Sequence, residues 1–343
     1  MQTVISSWIS VMLQELRHQG LSPRELAPWF AQVDRAAPTR QLQQVMVRRI
    51  WRHAMKVSHD PLLGLKVGAA LPLQAMNILG LIIIHSASLR KALAATVRYQ
   101  SLISNSGRFS LSVSGRNAQL SYMVSDGPVP MHPAQMDSVF AGYLGLLYRS
   151  APRLRPESVE LPGGQPRARK SYEQHFECRV VLGAGQPRIC FKTQDLDDPW
   201  IGADQDLLRM LVGRADLALQ TRGHADTLVD HVVAHITAKG FDATSCADVA
   251  CAMSLSTRTL QRRLTEARTS FRKLVEAARM DEALRLMNDR SLSISEISRS
   301  LGYSEPSAFS FAIRTHFGAT PRALREQIAG VADMDTGSRH LTK

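Results

Sequence analysis

The sequence predicts an α+β domain, residues 1–220, followed by an all-α domain in which a long helix joins two helix-turn-helix modules. The main observation is an internal repeat: the pattern of Ser245–Ala267 recurs in Ser293–Gly318, and aligning Val249 with Ile297 gives an offset of 48 residues. A second observation is that helical and strand-like stretches are interspersed before the repeat. The 343 residues, 44% of them apolar, suffice for two cores.

Each copy of the repeat contains a short helix, a turn and a second helix. A serine, Ser256 in the first copy and Ser304 in the second, stands where the second helix is predicted to begin, and serine is a good N-cap. This order of elements is typical of helix-turn-helix modules, whose second helix can enter the major groove of DNA.

The helical period separates the two faces of the second helix in the first copy. Leu260 and Leu264 share one side and are predicted to face the core. The residues predicted to read base edges lie on the other side: Arg258, Gln261, Arg262 and Thr265. Arginine can bond guanine O6 and N7 together, and glutamine suits adenine N6 and N7. The alternative for these residues is an ordinary solvated helix face.

The second copy has a different outward face. Phe309, Ile313 and Phe317 form its predicted core side. The residues predicted to read bases there are Ser307, Ala308 and Phe311. Phe311 cannot hydrogen-bond a base edge, so it is expected either to pack on thymine methyl groups or to pack on protein. Contacts to the DNA backbone are predicted for Ser256, Thr259, Arg263, Arg268, Ser304, Arg314 and Thr315.

Between the copies, a helix is predicted from Phe271 to about Met287. Its apolar residues form two stripes on nearly opposite sides, and a helix that is apolar on both sides is buried between two bodies. The helix would hold the modules at a fixed separation. Both second helices could then meet the same face of DNA about one helical turn apart.

Residues 225–326 resemble the DNA-binding domain of the AraC family of bacterial transcription regulators. The resemblance is carried by I-S-E-I-S-R-S-L-G-Y-S-E-P-S-A-F-S and F-G-A-T-P-R-A-L-R, within Ile294–Arg325. It implies a DNA-binding regulator whose base-contacting positions fall on Arg258, Gln261 and Arg262, and on Pro306, Ser307, Ala308 and Phe311. The family commonly has an arginine where this chain has Phe311, which leaves direct base reading by the second module open.

Before the repeat, periodicity predicts helices at 3–19, 23–32, 39–57, 62–70, 73–85, 88–104, 133–148, 167–176 and 204–219. Arg108–Ser114 and Ala118–Ser125 are predicted to form a β-hairpin. Ser158–Leu161 is predicted as a strand, and Arg179–Leu182 is predicted to pair with Arg188–Lys192.

Three stretches of this first part, Asp60–Gly68, Leu79–Leu93 and Asp195–Trp200, resemble the effector-binding and dimerisation domain of one branch of these regulators, of the arabinose-binding type. The resemblance implies a homodimer that senses a small metabolite, often an amino acid or an organic acid, and it identifies no pocket residues. Residues 221–224 are predicted as a linker, 225–328 as the DNA-binding domain and 329–343 as a flexible tail.

Composition and motifs narrow the function further. A net charge of +12 and a pI near 10.0 suit a polyanionic partner. The cysteines have no zinc-ligand spacing, and His231 and His235 are expected on a polar helix face, so neither a metal nor a cofactor is expected. There is no P-loop and no G-x-S-x-G motif. The chain start lacks a basic n-region, and the apolar run Leu79–Ile84 is too short to cross a bilayer.

The sequence therefore predicts a cytoplasmic transcription regulator, an activator in preference to a repressor. No association with a membrane is expected. Its expected partners are double-stranded DNA, RNA polymerase, a second copy of the chain and a small-molecule effector. One alternative is an effector-independent dimeric repressor or architectural protein. A second alternative is an enzyme with a DNA-binding tail, although no catalytic residue is indicated.

Overall fold

The computed structural model describes residues 2–33, 40–125, 129–164, 166–200, 203–242, 244–267, 269–287, 289–317 and 319–326. The chain divides into two compact units. The N-terminal unit spans Gln2–Leu219, and the C-terminal unit begins at Gln220. The predicted tail, residues 329–343, lies outside the described residues.

The N-terminal unit contains helices and strands in irregular order, as an α+β fold requires. Its helices up to residue 200 are α1 (Ser6–His18), α2 (Pro23–Val33), α3 (Gln44–Ser58), α4 (Leu63–Ala70), α5 (Asn77–Ile84), α6 (Leu89–Tyr99), α7 (Pro133–Ser150) and α8 (Arg169–Phe176). Its strands are β1 (Thr3–Ile5), β2 (Gln41–Gln43), β3 (Gly107–Ser114), β4 (Asn117–Val124), β5 (Ser158–Leu161), β6 (Arg179–Leu182) and β7 (Arg188–Lys192). Short 3₁₀ turns lie at Leu73–Met76, Gln100–Leu102, Pro166–Ala168 and Thr193–Leu196.

Strands β1 and β2 correct the sequence prediction, which placed residues 3–5 and 41–43 in helices. They pair antiparallel, with Thr3 opposite Gln43. Each strand is followed at once by a helix. The helical period of those following residues caused the predicted helices to begin too early and to include the strand residues. The pairing joins segments nearly 40 residues apart, and local periodicity carries no information about such contacts.

In the described residues, the larger sheet has five strands in the order β3-β4-β7-β5-β6. The predicted hairpin of β3 and β4 is confirmed. The predicted pairing of β6 with β7 is wrong, because β5 lies between them and pairs parallel with β6 and antiparallel with β7. The chain reaches β6 from β5 through α8, which is the kind of crossover that a parallel pair needs.

Close helix packing explains the motif at Asp60–Gly68. A Cβ atom on Gly64 would overlap with the backbone of Ala134, and one on Gly68 would overlap with the backbone of Ser138. Glycine at these two positions therefore lets α4 approach α7 more closely than any side chain would allow. The motif has a packing role and does not itself indicate a ligand.

Helix α7 also carries a buried carboxyl group. Asp137 is 2% exposed, and its Oδ2 accepts a hydrogen bond of 2.6 Å from the hydroxyl of Tyr172. No described residue bonds its Oδ1. Burial raises the pKa of Asp137 to about 7, against the smaller opposing effect of the Tyr172 hydrogen bond.

Helix α9 (Gln205–Lys239) continues through the predicted linker. The sequence suggested an end at Leu219 and an irregular connection at 221–224, but these residues are helical. A single glycine at 223 costs a helix only about 1 kcal/mol relative to alanine, and no proline interrupts the segment, so the physical signal for a break is weak.

The C-terminal unit is helical in its described part. After α9 it contains α10 (Cys246–Ala252), α11 (Thr257–Glu266), α12 (Phe271–Met287), α13 (Ile294–Ser300) and α14 (Pro306–Phe317), and residues 321–326 are also helical. This is the predicted order of two helix-turn-helix modules joined by a long helix. Thr320 caps the last segment as predicted, because its Oγ1 accepts a hydrogen bond from Ala323 N at 3.2 Å.

No single helix in the described ranges is long and apolar enough to cross a membrane. Residues 63–70 and 73–84 pass that test of length and composition only in combination, and the two halves are bent by 90°.

Candidate DNA-binding surface

The first helices of the two modules begin with the same hydrogen-bonded structure. Ser245 Oγ accepts from Asp248 N at 3.1 Å, while Asp248 Oδ2 accepts from Ser245 N at 2.9 Å. Ser293 and Glu296 form the equivalent capping box in the second module, at 3.1 and 2.6 Å. These donors lower the pKa of Asp248 and of Glu296. The repeat in the sequence therefore corresponds to a repeat in local structure.

The turns of the two modules also match. Ser254 and Gly302, 48 positions apart, both have left-handed backbones, with φ of 54° and 76°. Glycine adopts this conformation freely, whereas a residue with a Cβ loses about 1–2 kcal/mol. A Cβ at residue 302 would in addition overlap with the carboxylate of Asp242. The first module thus tolerates a side chain at the turn, whereas a side chain in the second would have to displace the carboxylate of Asp242.

We expect Gly302→Ala to destabilise the C-terminal unit by about 2–3 kcal/mol, from backbone strain together with displacement of Asp242. The matched control is Gly240→Ala, because Gly240 has a similar φ of 94° but no atom near its missing Cβ. That variant should lose only about 1–2 kcal/mol. Calorimetric unfolding of both variants measures the difference, and equal losses would contradict the prediction.

Helix α11 has the buried and exposed faces that its period predicts. Ser256 caps it, its Oγ accepting from Thr259 N at 3.1 Å. Leu260 and Leu264 are fully buried against α9, α10 and α12. The opposite face is exposed and carries the predicted base-reading residues: Arg258, Gln261, Arg262 and Thr265. The buried leucines fix the rotation of the helix and hence the direction of this polar, cationic face.

Most side-chain hydrogen-bonding groups on this face are open to a ligand. Arg262 Nε lies 3.8 Å from Glu266 Oε1, and both side chains are about two-thirds exposed, so the ion pair is weak. The hydroxyl of Thr265 donates to the carbonyl of Gln261 at 2.9 Å, so its hydrogen is used within the helix while its oxygen can still accept a hydrogen bond. Arg263 is exposed beside them, and Arg268 lies outside the described residues.

Helix α14 also has the predicted faces but begins later than expected. It starts at Pro306, a favoured first residue of a helix, and the carbonyl of Glu305 accepts from Ala308 N at 3.1 Å. The predicted cap at Ser304 is therefore wrong, because Ser304 precedes the helix by two positions. Its core residues are buried, and its outward residues are exposed: Ser307, Ala308, Phe311, Arg314 and Thr315.

Phe311 is a large apolar side chain on the exposed face of α14. It is 72% exposed, so the described residues cover little of its ring. The ring is therefore available both for the predicted contact with thymine methyl groups and for the alternative, packing on protein. An exposed phenylalanine on a helix that can enter a DNA groove is suited to contact thymine methyl groups.

Arg279 of α12 contacts the turn of the second module and the segment that leads from α9 into the first, and sequence reasoning missed it. Its guanidinium lies 5.0 Å from the ring centre of Tyr303, in the turn of the second module, and 6.0 Å from that of Phe241, which packs on the first module's core. It also pairs with Asp242 at 3.2 Å. These contacts join positions 24 and 38 residues from Arg279, where no sequence period could indicate them.

The N-terminal unit contains a partly open cavity of about 70 Å³. Its walls come from α1, α3, α5, α6, α7, β3 and β4 and from the loop that precedes β3. Sequence reasoning identified no pocket residues, because the walls combine side chains from many separated segments.

The family models agree with this architecture. The model of the N-terminal arabinose-binding domain of AraC transcription regulators matches residues 20–200, and a helix-turn-helix domain model matches residues 249–327. Both predicted domain types are therefore confirmed.

Relatives are similar over most of their length. An uncharacterized HTH-type transcriptional regulator of Mycobacterium tuberculosis is 25% identical over 80% of this chain and 81% of its own. The ornithine utilization regulator of Pseudomonas aeruginosa is 24% identical over 84% of this chain and 86% of its own. The crystal structure of the regulator CdpR from Pseudomonas aeruginosa covers 88% of this chain and 97% of its own, with 20% identity and a TM-score of 0.43. The N-terminal domain model alone spans more than half of the 343 residues, and on that evidence the chain belongs to the AraC family of transcription regulators.

Proposed function

We propose that this AraC-family regulator recognises a specific DNA sequence mainly through the exposed face of α11. The observation that carries the proposal is the placement of Arg258, Gln261 and Arg262 on one exposed face, opposite two fully buried leucines. Arginine pairs bidentately with guanine, and glutamine with adenine, in the major groove. Hydroxyls and cations at the edges of this face, those of Ser256, Thr259 and Arg263, bind phosphates and set the register of α11. Arg268, which lies outside the described residues, is assigned the same role from the sequence alone.

The second module contributes differently. Ser307 and Ala308 present small groups at the start of α14, and Phe311 presents an apolar ring. This face favours close approach and contact with thymine methyl groups over hydrogen-bonded reading of guanine. Ser304, Arg314 and Thr315 contact the DNA backbone there. We therefore expect the half of the DNA site that α14 contacts to tolerate more base changes than the half that α11 contacts.

The regulator acts in the cytoplasm as an activator that recruits RNA polymerase when a small molecule occupies the N-terminal unit. The cavity of that unit supports control by an effector, since a sealed, fully packed domain would favour the effector-independent repressor or architectural protein instead. A ligand that binds one arrangement of the protein better than another shifts their populations. The relatives named above are regulators, which favours this function over that of an enzyme.

One face of helix α9 carries exposed apolar side chains that could form the interface of a homodimer. Leu207, Met210 and Leu217 fall on one side of the helix and are 36%, 74% and 65% exposed. Ala215, which points the other way, is fully buried in the core of the N-terminal unit. A stripe of large exposed apolar groups is typical of a surface that binds a second helix.

Met210→Glu is expected to weaken the dimer at least tenfold, which corresponds to about 1.4 kcal/mol, because a carboxylate would be buried without a partner. Sedimentation equilibrium of the full chain measures the effect. The control Gln205→Glu adds the same charge at an exposed position of α9 outside the stripe and should leave the dimer intact. Equal effects of both variants would place the interface elsewhere.

Sequence-specific binding is tested by titrating the full chain against duplex DNA from upstream of its own gene and neighbouring genes. Fluorescence anisotropy at two salt concentrations separates the contributions. Specific binding should exceed binding to scrambled DNA by at least about 10³-fold at physiological salt. Weak binding that falls steeply with salt for every sequence would indicate charge attraction only and would refute the proposal.

A further inference from the structure

The cavity of the N-terminal unit has walls that are mainly apolar. Trp8, Leu79, Ile103, Phe109 and Val139 contribute to its lining. None of the described residues that line it has a charged side chain. A carboxylate or ammonium group on a ligand would meet no charged side chain in the lining, and burial of an unpaired charge is strongly unfavourable. The buried guanidinium of Arg48 acts electrostatically on Tyr122 of the wall, but it is already bonded to the carbonyls of Ser125 and Val129.

Several polar side chains in the wall are already bonded to protein. The hydroxyl of Thr96 lies 2.9 Å from that of Tyr143. Gln100 Nε2 donates to the carbonyl of Phe109 at 3.0 Å, and the hydroxyl of Ser104 donates to a carbonyl of β1, also at 3.0 Å. These groups shape the cavity and hold its wall together, but they are committed to the protein.

Gln135 differs from them. It lies on α7, lines the cavity and is 5% exposed, and its Oε1 is buried without a hydrogen-bond partner among the described residues. A buried carbonyl oxygen without a donor is unfavourable, and nearly all such atoms in folded proteins are bonded. A donor that enters the cavity would satisfy it.

We propose that the cavity binds a compact, uncharged, mainly apolar molecule with a hydroxyl group, and that this hydroxyl donates a hydrogen bond to Gln135 Oε1. The open volume of about 70 Å³ compares with roughly 10–15 Å³ for one water, so the cavity holds a molecule the size of about five to seven waters. The inference rests on the proposed effector control and replaces the expected amino acid or organic acid with a neutral ligand.

The test uses the full chain, isothermal titration calorimetry and three probes of similar size. 1-Butanol is neutral with a hydroxyl group, 1-chlorobutane lacks the hydroxyl, and butyrate carries a charge. We expect 1-butanol to bind about tenfold more tightly than 1-chlorobutane, and butyrate not to bind. Gln135→Leu keeps the size of the side chain but removes the acceptor, so it should bring 1-butanol to the affinity of 1-chlorobutane.

A second variant fills the cavity. Val139→Trp should abolish binding of 1-butanol and 1-chlorobutane, and an unchanged circular dichroism spectrum with cooperative thermal unfolding would establish that the variant is folded. The inference is overturned if butyrate binds as tightly as 1-butanol, if no probe binds at millimolar concentration, or if Gln135→Leu leaves the affinity for 1-butanol unchanged. Because calorimetry here needs no DNA, a bound probe that leaves DNA affinity and transcription unaltered would count against effector control and not against the ligand class.

Discussion

Replacing Arg262 with alanine is expected to weaken binding to the specific DNA site by about 1–3 kcal/mol, or roughly 5- to 150-fold, and to relax discrimination at the base pair it contacts. The side chain is 70% exposed, and its ion pair with Glu266, at 3.8 Å, is long. Its removal should therefore change folding stability by less than about 0.5 kcal/mol. Fluorescence anisotropy with the specific duplex and with single base-pair variants measures the loss.

Two controls separate base reading by Arg262 from simple charge. Arg262→Lys keeps the charge but cannot form the bidentate pair with guanine, so it should lose specificity nearly as alanine does. Arg263→Ala removes a neighbouring exposed charge that we assign to the DNA backbone. It should weaken binding to all sequences equally and lower the salt dependence by about one charge. If Arg262→Ala behaved like Arg263→Ala, base reading would have to be assigned to other residues.

Asp137→Asn is expected to stabilise the N-terminal unit by about 4 kcal/mol at pH 8 and by less than about 2 kcal/mol at pH 5. The folded pKa of about 7 lies above the ordinary value of 3.8, so the folded state holds the proton more tightly than the unfolded state. Stability is therefore lost as the pH rises from about 4 to 7, and it is level above that range. Asparagine avoids this loss because it carries no proton to give up.

Tryptophan fluorescence during urea unfolding isolates this effect, because all 4 tryptophans lie within residues 1–219. Tyr172→Phe is the informative control. The Tyr172 hydroxyl stabilises the charged carboxylate, so its removal should raise the pKa of Asp137 further and move the loss of stability to higher pH. If the stability difference between the unsubstituted protein and the Asp137→Asn variant is the same at pH 5 and pH 8, the carboxyl group does not titrate in this range.

The helices of the second domain and their buried faces could be predicted in detail, because they depend on residues close together in the chain and because the same pattern occurs in both copies of the repeat. The serines that cap the first helices recur between the two copies. Leu260 and Leu264 of α11 recur at helical spacing, as do Phe309, Ile313 and Phe317 of α14, and such a period determines which side of a helix is buried. The start of α14 was misplaced for an equally local reason. Ser304 and Pro306 are competing start signals two positions apart, and the proline prevailed.

For the first domain, the sequence predicted most of the individual helices and strands but not how they pair and pack. The position of β7 between β4 and β5 depends on which strands meet, and a strand's own sequence says little about its neighbour. The pairing of Tyr172 with Asp137 and the cavity around Gln135 also arise from segments that are distant in the chain. Sequence patterns predicted helices and strands but could not indicate which of their side chains would line a cavity.

The contacts of Arg279 have a consequence for the strength of DNA binding. Because α12 and this guanidinium link the two modules, docking of one module presents the other to the adjacent groove at a high effective concentration. Two modules that each bind DNA weakly can then dissociate slowly as a joined pair, without any additional bond to DNA. Loosening the link would leave each module's own affinity unchanged while shortening the residence time of the whole protein.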